Sequence, residues 1–137
     1  MESRDKLSSE ARSANMRAIR SYDTKPELIL RSALWHSGTR YRLRTKIGRA
    51  RPDIVFPSKR VAVFVDGCFW HGCPKHYQAP TGNSIYWSRK IAGNQVRDLR
   101  NNLELQLRGW KVVRIWECEV KKNVSAAVRQ VQSAIST

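Results

Sequence analysis

Apolar residues near the start of the chain recur at the spacing of helices. Residues 9–20 follow this pattern and predict a first helix. A second helix begins at Thr24, with Pro26 in its first turn and Glu27 three residues after the cap, as in a capping box. Gly38 is typical of a helix end. We therefore expect two helices before the first strand.

The middle of the chain changes to the patterns of strands. Residues 41–44 alternate, residues 53–56 are short and apolar, and residues 60–65 resemble a fully buried strand. Residues 84–108 return to a helical period, and residues 110–116 predict a further strand. The helical period of that long segment rests on four aliphatic residues: Val96, Leu99, Leu103 and Leu107.

One apolar stripe marks the last predicted helix: Val120, Val124, Val128, Val131 and Ile135. The predicted order is α-α-β-β-β-α-β-α, an antiparallel meander followed by a crossover helix and one more strand. The sequence thus predicts an α/β fold in which helices flank a mixed β-sheet.

The composition adds a strong positive charge to this picture. The 137 residues include 26 Lys and Arg against 11 Asp and Glu, a formal net charge of +15. A basic protein can lack a specific partner, but this charge together with five tryptophans favours nucleic acid. We expect one domain spanning residues 1–137.

The N-terminus and the cysteines indicate the compartment. The first residues, MESRDKLSSEARS, lack an apolar signal-peptide region, and no apolar run is long enough to span a membrane. Three cysteines without a secretory signal argue against a disulfide framework. We expect a cytoplasmic, nucleoid-associated protein without a membrane partner.

The cysteines have the spacing of a metal site. Cys68, Cys73 and His76 follow the pattern C-x4-C-x2-H, and Cys118 ends the last predicted strand. If that strand lies near the strand of residues 60–65, the four groups can form the closed tetrahedral shell of a structural Zn²⁺ ion. The alternative is three free, reduced cysteines, two of them buried like small apolar residues.

Four residues of the same segment are not needed for zinc: Asp66, Phe69, Trp70 and His71. The Phe-Trp pair could pack on the metal loop. On a basic protein, a rigid apolar wedge could instead enter a base stack and kink the duplex.

Five motifs together resemble the very-short-patch repair (Vsr-type) DNA mismatch endonucleases: Arg51-Pro52-Asp53, Val65-Asp66-Gly67-Cys68-Phe69-Trp70-His71, Tyr86-Trp87, Asn94 with Arg97-Asp98, and Trp116-Glu117-Cys118. The likeness runs from about Arg12 to Cys118. It implies a restriction-endonuclease-like fold. It also implies an enzyme that nicks double-stranded DNA immediately 5′ of the thymine in a T·G mismatch, the lesion left by deamination of 5-methylcytosine. We further expect the enzyme to be a monomer and to be recruited by mismatch-repair proteins.

The resemblance also implies the catalytic roles. Asp53 would bind Mg²⁺ at the scissile phosphate, His71 would be the general base, and Asp98 would orient its imidazole. Glu27 would act through water in the outer shell of the metal. Asp66 stands where the family's usual residue is histidine. Either a second carboxylate joins the Mg²⁺ ligands or the role of that histidine is absent.

The DNA-contacting roles that the resemblance implies fall on six residues: Phe69, Trp70, Trp87, Met16, Lys90 and Asn94. The first two would intercalate beside the mismatch, with Trp87 packed near them. Met16, in an N-terminal DNA-contacting arm of residues 1–22, would enter from the opposite groove. The last two would approach the mismatched bases.

Each candidate has a plainer alternative. Asp53 could cap a turn, Glu27 is already explained by the capping box, Asp98 could pair with an arginine on its helix, and Met16 could be core. For the whole protein, one alternative is a zinc-stabilised nucleic-acid-binding module without catalysis. Another is a related homing-type or restriction-type nuclease that cuts intact duplex.

Overall fold

The computed structural model of the protein describes residues 24–74, 82 and 84–136, with backbone alone at residues 69, 70 and 84. The helix expected over residues 9–20 lies outside the described residues, as do Met16 and His76.

Helix α1 spans Lys25–His36, within the limits that its sequence predicts. The hydroxyl of Thr24 accepts a hydrogen bond from the backbone N–H of Glu27 at 3.4 Å, which satisfies one of the free donors of the first turn. Gly38 follows the helix with a φ of +87°, a conformation that glycine adopts without a steric penalty. Local chemistry therefore sets both ends of this helix.

Three strands form one mixed sheet in the order β1-β2-β3. Strand β1 (Ile54–Phe56) pairs antiparallel with β2 (Val61–Asp66), and β2 pairs parallel with β3 (Lys111–Trp116). The register places Asp66 opposite Trp116. The residues that follow β2 and β3 therefore leave the sheet at the same edge.

The prediction of a strand over residues 41–44 is wrong. Within this segment only Arg42 makes a bridge, to Val55 of β1. Arg44 has a φ of +54°, which lies outside the strand region and turns the chain away from the sheet. The alternation of residues 41–44 therefore marks a single contact with the sheet edge.

Helices α2 and α3 lie between β2 and β3, and two further helices follow β3. After the short helix α2 (Cys68–His71), helix α3 spans Ser84–Leu107, as the sequence predicts. The single last helix of the prediction is two helices, α4 (Glu117–Lys122) and α5 (Val124–Ser136). Asn123 separates them, and its side-chain oxygen accepts a hydrogen bond from the N–H of Ala126 at 3.1 Å, as a helix cap does.

The sheet has a core on each face, because successive strand residues point to opposite sides. Helices α1, α4 and α5 cover the larger core, whose buried residues are Leu30, Leu34, Ile54, Phe56, Val61, Val63, Val113, Ile115, Val120, Ala127, Val128 and Val131. On the other face α3 contributes to a smaller core of Ala50, Val55, Ala62, Phe64 and Leu105. Helix α3 is thereby held beside the sheet edge at which β2 and β3 end.

Among the described residues, no helix combines the length and the apolar character needed to cross a bilayer.

Candidate active site

Asp53 lies just before β1 and is fixed by two backbone contacts to β2. Its N–H donates to the carbonyl of Val63 at 2.9 Å, and its carboxylate Oδ2 accepts from the N–H of Val65 at 2.7 Å. Because these bonds extend the β1–β2 pairing, they fix the side chain against the end of β2. Asp53 is therefore held beside the edge of the sheet.

Burial makes Asp53 an unusually weak acid. Removal of the carboxylate from water raises its pKa to about 7, the bond from Val65 opposes this, and the charges of Glu27 and Asp66 raise the pKa further. Glu27 is itself buried at 2% exposure and accepts from Arg31 at 3.2 Å. Crowded carboxylates of this kind fit a hard divalent cation, which would relieve their repulsion.

His71 stands between two carboxylates. Its Nδ1–H donates to Oδ2 of Asp98 at 2.6 Å, and its Nε2 lies 3.9 Å from Oδ1 of Asp66. Burial lowers the pKa of the imidazole, but the hydrogen bond to Asp98 and the two negative charges outweigh burial, and the net pKa is raised. In the neutral ring, the proton on Nδ1 leaves the lone pair on Nε2.

The turn after His71 is equally constrained. Gln95 of α3 donates its side-chain N–H to the carbonyl of His71 at 3.1 Å. Gly72 has a φ of +69°, and a Cβ at this position would lie 2.6 Å from Nε2 of Gln95. The positive φ therefore favours glycine here, and the bond from Gln95 fixes the backbone of His71 against α3.

Arg114 is a site residue that the sequence analysis missed. Its guanidinium donates from Nη1 to both carboxylate oxygens of Asp66, at 3.0 and 3.2 Å, and lies 3.6 Å from Oδ1 of Asp98. Its Nε donates to Asn102 at 2.7 Å, and the group lies 4.0 Å from the ring centroid of Phe64. The signal was an arginine within the apolar strand KVVRIW, where a buried charge needs a partner.

Asp66 is buried at 6% exposure beneath this guanidinium. Burial raises the pKa of its carboxyl group, although the charges of Arg114 and His71 act in the opposite direction. Asp66, His71 and Asp98 offer ligand atoms that all lie within 4.8 Å of one another. The charge of Asp66 is therefore engaged by Arg114 at the position where it faces His71.

The three cysteines converge beside this site. Their sulfur atoms lie within 4.8 Å of one another, and Sγ of Cys73 lies 3.8 Å from Sγ of Cys118. The parallel pairing of β2 and β3 causes this approach, because Cys68 and Cys118 each follow the end of one strand. Burial raises the pKa of the Cys68 thiol to about 12. A bound cation would therefore be needed to keep this sulfur deprotonated at neutral pH. The donor set fits Zn²⁺, with a fourth ligand still required.

Helix α3 carries three of the candidate DNA-contacting residues. Asn94 is buried at 5% exposure and precedes Asp98 by one helical turn, so the two share the face directed at the site. Trp87 and Lys90 are partly buried. The ring centroids of Trp87 and Tyr86 lie 5.1 Å apart, nearly perpendicular to each other.

The backbone of α2 places Phe69 and Trp70 between Cys68 and His71. The wedge residues of the prediction thus lie directly between a candidate zinc ligand and the imidazole. His76 and Met16, the fourth ligand and the second wedge of the prediction, fall in the undescribed parts of the chain.

Comparison with a solved structure supports the expected fold class. The catalytic domain of the homing endonuclease I-Bth0305I superposes with a TM-score of 0.55 at 19% identity, covering 82% of this chain and 94% of that one. The mixed sheet with helices on both faces is therefore of the restriction-endonuclease-like class.

Sequence comparisons give the family. Residues 4–78, more than half of the chain, match the family model described as DNA mismatch endonuclease Vsr. The chain is 51% identical over 122 residues to the type II nicking enzyme V.NaeI of Lentzea aerocolonigenes, covering 85% of this chain and 74% of that enzyme. It is also 38% identical to the DNA mismatch endonuclease Vsr of Escherichia coli, covering 80% and 71%. This chain therefore belongs to the Vsr family of DNA mismatch endonucleases.

Proposed function

We propose that this protein nicks one strand of double-stranded DNA immediately 5′ of the thymine in a T·G mismatch, with Mg²⁺ as the catalytic ion. The observation that carries the chemistry is the contact of 2.6 Å between Nδ1 of His71 and Asp98. Asp66, which lies 3.9 Å from the same imidazole, also interacts electrostatically with the buried carboxylate of Asp53. A nucleic-acid-binding module would not require an oriented imidazole among buried acids.

His71 acts as the general base in this proposal. The bond to Asp98 keeps the proton on Nδ1, so Nε2 can accept a proton from the water that attacks phosphorus. Asp98 then stabilises the imidazolium that results. Because the pKa of His71 is raised, the neutral ring and hence the nicking rate increase with pH near neutrality.

Asp53 and Glu27 supply the charge for the metal. Asp53 would bind Mg²⁺ directly, and Glu27 would hold water in the outer shell of the ion. Bound there, Mg²⁺ would neutralise charge on the phosphate and on the leaving oxygen. The raised pKa of Asp53 is consistent with this role, since a carboxylate crowded by other acids gains most from a cation.

DNA recognition is assigned to the neighbouring segments. Phe69 and Trp70 would intercalate beside the mismatch, with Trp87 packed near them, and Met16 would enter from the opposite groove. Lys90 and Asn94 of α3 would approach the bases, a proposal supported by the position of Asn94 one turn from Asp98.

The remaining parts of the proposal concern the whole protein. A structural Zn²⁺ ion on Cys68, Cys73, His76 and Cys118 would tie α2 to the end of β3. The enzyme would act as a monomer, with residues 1–22 as a DNA-contacting arm. Recruitment by mismatch-repair proteins stays a prediction.

The decisive experiment uses strand-labelled duplexes that differ at one position, T·G, T·A or C·G, in Mg²⁺ or in EDTA. We expect one nick, 5′ of the mismatched thymine, only in Mg²⁺. Asp53→Asn should abolish nicking and leave duplex binding, whereas Glu104→Gln, a carboxylate paired with Arg108 at the far end of α3, should nick normally.

Other outcomes of the same assay would reject parts of the proposal. Equal cleavage of the matched duplexes would favour the nuclease that acts on intact DNA. Binding without cleavage under every divalent cation would favour the non-catalytic module.

A further inference from the structure

Helix α3 exposes a line of large aliphatic side chains to solvent. We call Ile85, Val96, Leu99, Leu103 and Leu107 the α3 stripe; their exposed fractions are 70%, 66%, 64%, 61% and 87%. Four of the five are the residues whose spacing predicts the helix. A line of this length is more than the scattered apolar residues of an ordinary surface, and such patches mark interaction sites.

The stripe lies on the side of α3 opposite the candidate active site. The inward face of the helix carries Ile91 and Leu105, at 5% and 0% exposure, and Asp98, which bonds His71. At 3.6 residues per turn, Val96 and Leu103 point away from these residues. DNA in the site would therefore leave the stripe accessible.

The spacing within the stripe indicates the shape of its partner. Ala92, Val96, Leu99 and Leu103 follow one another at intervals of four, three and four residues, which is the spacing of a coiled-coil seam. A second helix can pack its own apolar seam into such a line. Phosphate groups cannot make favourable contacts with these aliphatic side chains.

The charges beside the stripe indicate the chemistry of the partner. Arg89, Arg97 and Arg100 are exposed along the same helix, whereas Glu104 is engaged by Arg108 at 3.3 Å. A helix with acidic residues beside its apolar seam would complement these exposed arginines. A second copy of this chain, with its net charge of +15, would bring arginine against arginine.

The chain's own N-terminal sequence fits the stripe poorly. Residues 1–23 contain basic and acidic residues in similar numbers, and their large aliphatic residues are Met1, Leu7, Met16 and Ile19. They lack the acidic border and the continuous seam that the stripe would complement.

We propose that the α3 stripe is a docking surface for an acidic amphipathic helix of another protein, and that this helix binds while DNA occupies the active site. The geometry gives the enzyme two independent faces, one for the duplex and one for a protein that accompanies it.

A synthetic helical peptide tests the surface directly. The probe is a fluorescent peptide of about three heptads with Leu at the seam and Glu at the bordering positions, and the counter-probe has Lys in place of Glu. Anisotropy with the full-length protein should show binding of the Glu peptide and binding of the Lys peptide weaker by about tenfold or more. Saturation with duplex in EDTA should leave the affinity unchanged.

Matched variants locate the binding. The double variant Leu99→Glu, Leu103→Glu should bind the Glu peptide about tenfold or more weakly, because the two substitutions place carboxylates in the seam. Gln130→Glu adds the same carboxylate at an exposed position of α5, away from the stripe, and should leave the affinity for the Glu peptide nearly unchanged. All variants should retain nicking and melting temperature, since the stripe contacts neither site nor core.

Four results would overturn the proposal. These are no binding of the Glu peptide, equal binding of both peptides, an equal loss of affinity in Gln130→Glu, and competition by duplex. Sedimentation that shows wild-type dimers and monomeric Leu99→Glu would assign the stripe to a second copy instead, and stripe-dependent binding to anionic vesicles would assign it to a membrane surface.

Discussion

Arg114 on β3 holds Asp66 at the end of β2 through both carboxylate oxygens, at 3.0 and 3.2 Å. The same guanidinium lies 3.6 Å from Asp98, so one cation faces both acids that flank His71. The parallel register makes this possible, since Arg114 lies two residues before Trp116, the partner of Asp66. The imidazole is thus oriented by a network that spans two strands and a helix.

Loss of this cation should affect both stability and pH dependence. Arg114→Met leaves buried Asp66 without its partner, and we expect destabilisation of about 3 kcal/mol or more at neutral pH. Arg114 also lowers the pKa of His71, so without it the rise of nicking with pH should move to higher pH. Arg114→Lys retains the charge and should shift the profile less. Arg129→Met, at an exposed position of α5, is the control. An unchanged pH profile in folded Arg114→Met would contradict the positioning role.

The imidazole itself should be indispensable. His71→Ala should lower the single-turnover nicking rate by about a hundredfold or more, the usual contribution of a general base. Asp98→Asn should also slow nicking, because an amide can no longer stabilise the imidazolium. His36→Ala, an exposed histidine at the end of α1, is the matched control. Near wild-type rates in His71→Ala would reject the assignment of the base.

Asp53 predicts how stability depends on pH without a divalent cation. Its pKa is raised from 3.8 to about 7 in the folded protein, so its contribution to stability is fully present below 3.8 and is lost as the pH rises through about 7. In EDTA at pH 8, Asp53→Asn should therefore melt above the wild type, by about 2–8 °C. The difference should vanish near pH 4.

Added Mg²⁺ provides the matching test of the metal. It should raise the melting temperature of the wild type at pH 8 and leave that of Asp53→Asn nearly unchanged, because the variant lacks the ionised ligand. Glu104→Gln should respond as the wild type does. An equal response of all three proteins would show that Mg²⁺ binds elsewhere.

The cysteine cluster predicts a structural metal. One equivalent of zinc should co-purify, and Cys118→Ser should lower both zinc content and melting temperature, since metal binding contributes folding free energy. Elemental analysis with a calorimetric melt measures both. Folded, active protein without zinc would refute the site.

We expect Trp70 to contribute to the selectivity for mismatched over matched duplex. A wedge at the step beside a T·G pair meets less resistance than at a matched step, so Trp70→Ala should reduce the ratio of mismatched to matched nicking. Stacking of roughly 1–3 kcal/mol per base bounds the effect at about tenfold to a hundredfold. Trp35→Ala, a half-exposed tryptophan on α1, is the control. An unchanged ratio with a lower melting temperature would mean that Trp70 only packs on the metal loop.

The local sequence determined those helices and strands whose ends are set by neighbouring residues. Thr24 and Gly38 delimit α1, the unbroken run of β2 marks a buried strand, and α3 ends before Gly109 as expected. Asp53 and His71 could be singled out because their motifs are contiguous. The cysteine cluster could be anticipated, since it required only that two strands end together.

Only the tertiary structure decided which faces and partners these elements have. The aliphatic line of α3 predicts a helix, but the inward face is the one that carries Leu105 and Asp98. Arg114 finds Asp66 across 48 residues of sequence, a pairing that depends on strand register and not on any local pattern. Periodicity reports the conformation of a segment, whereas burial and charge pairing depend on what packs against it, and that is settled by contacts between distant parts of the chain.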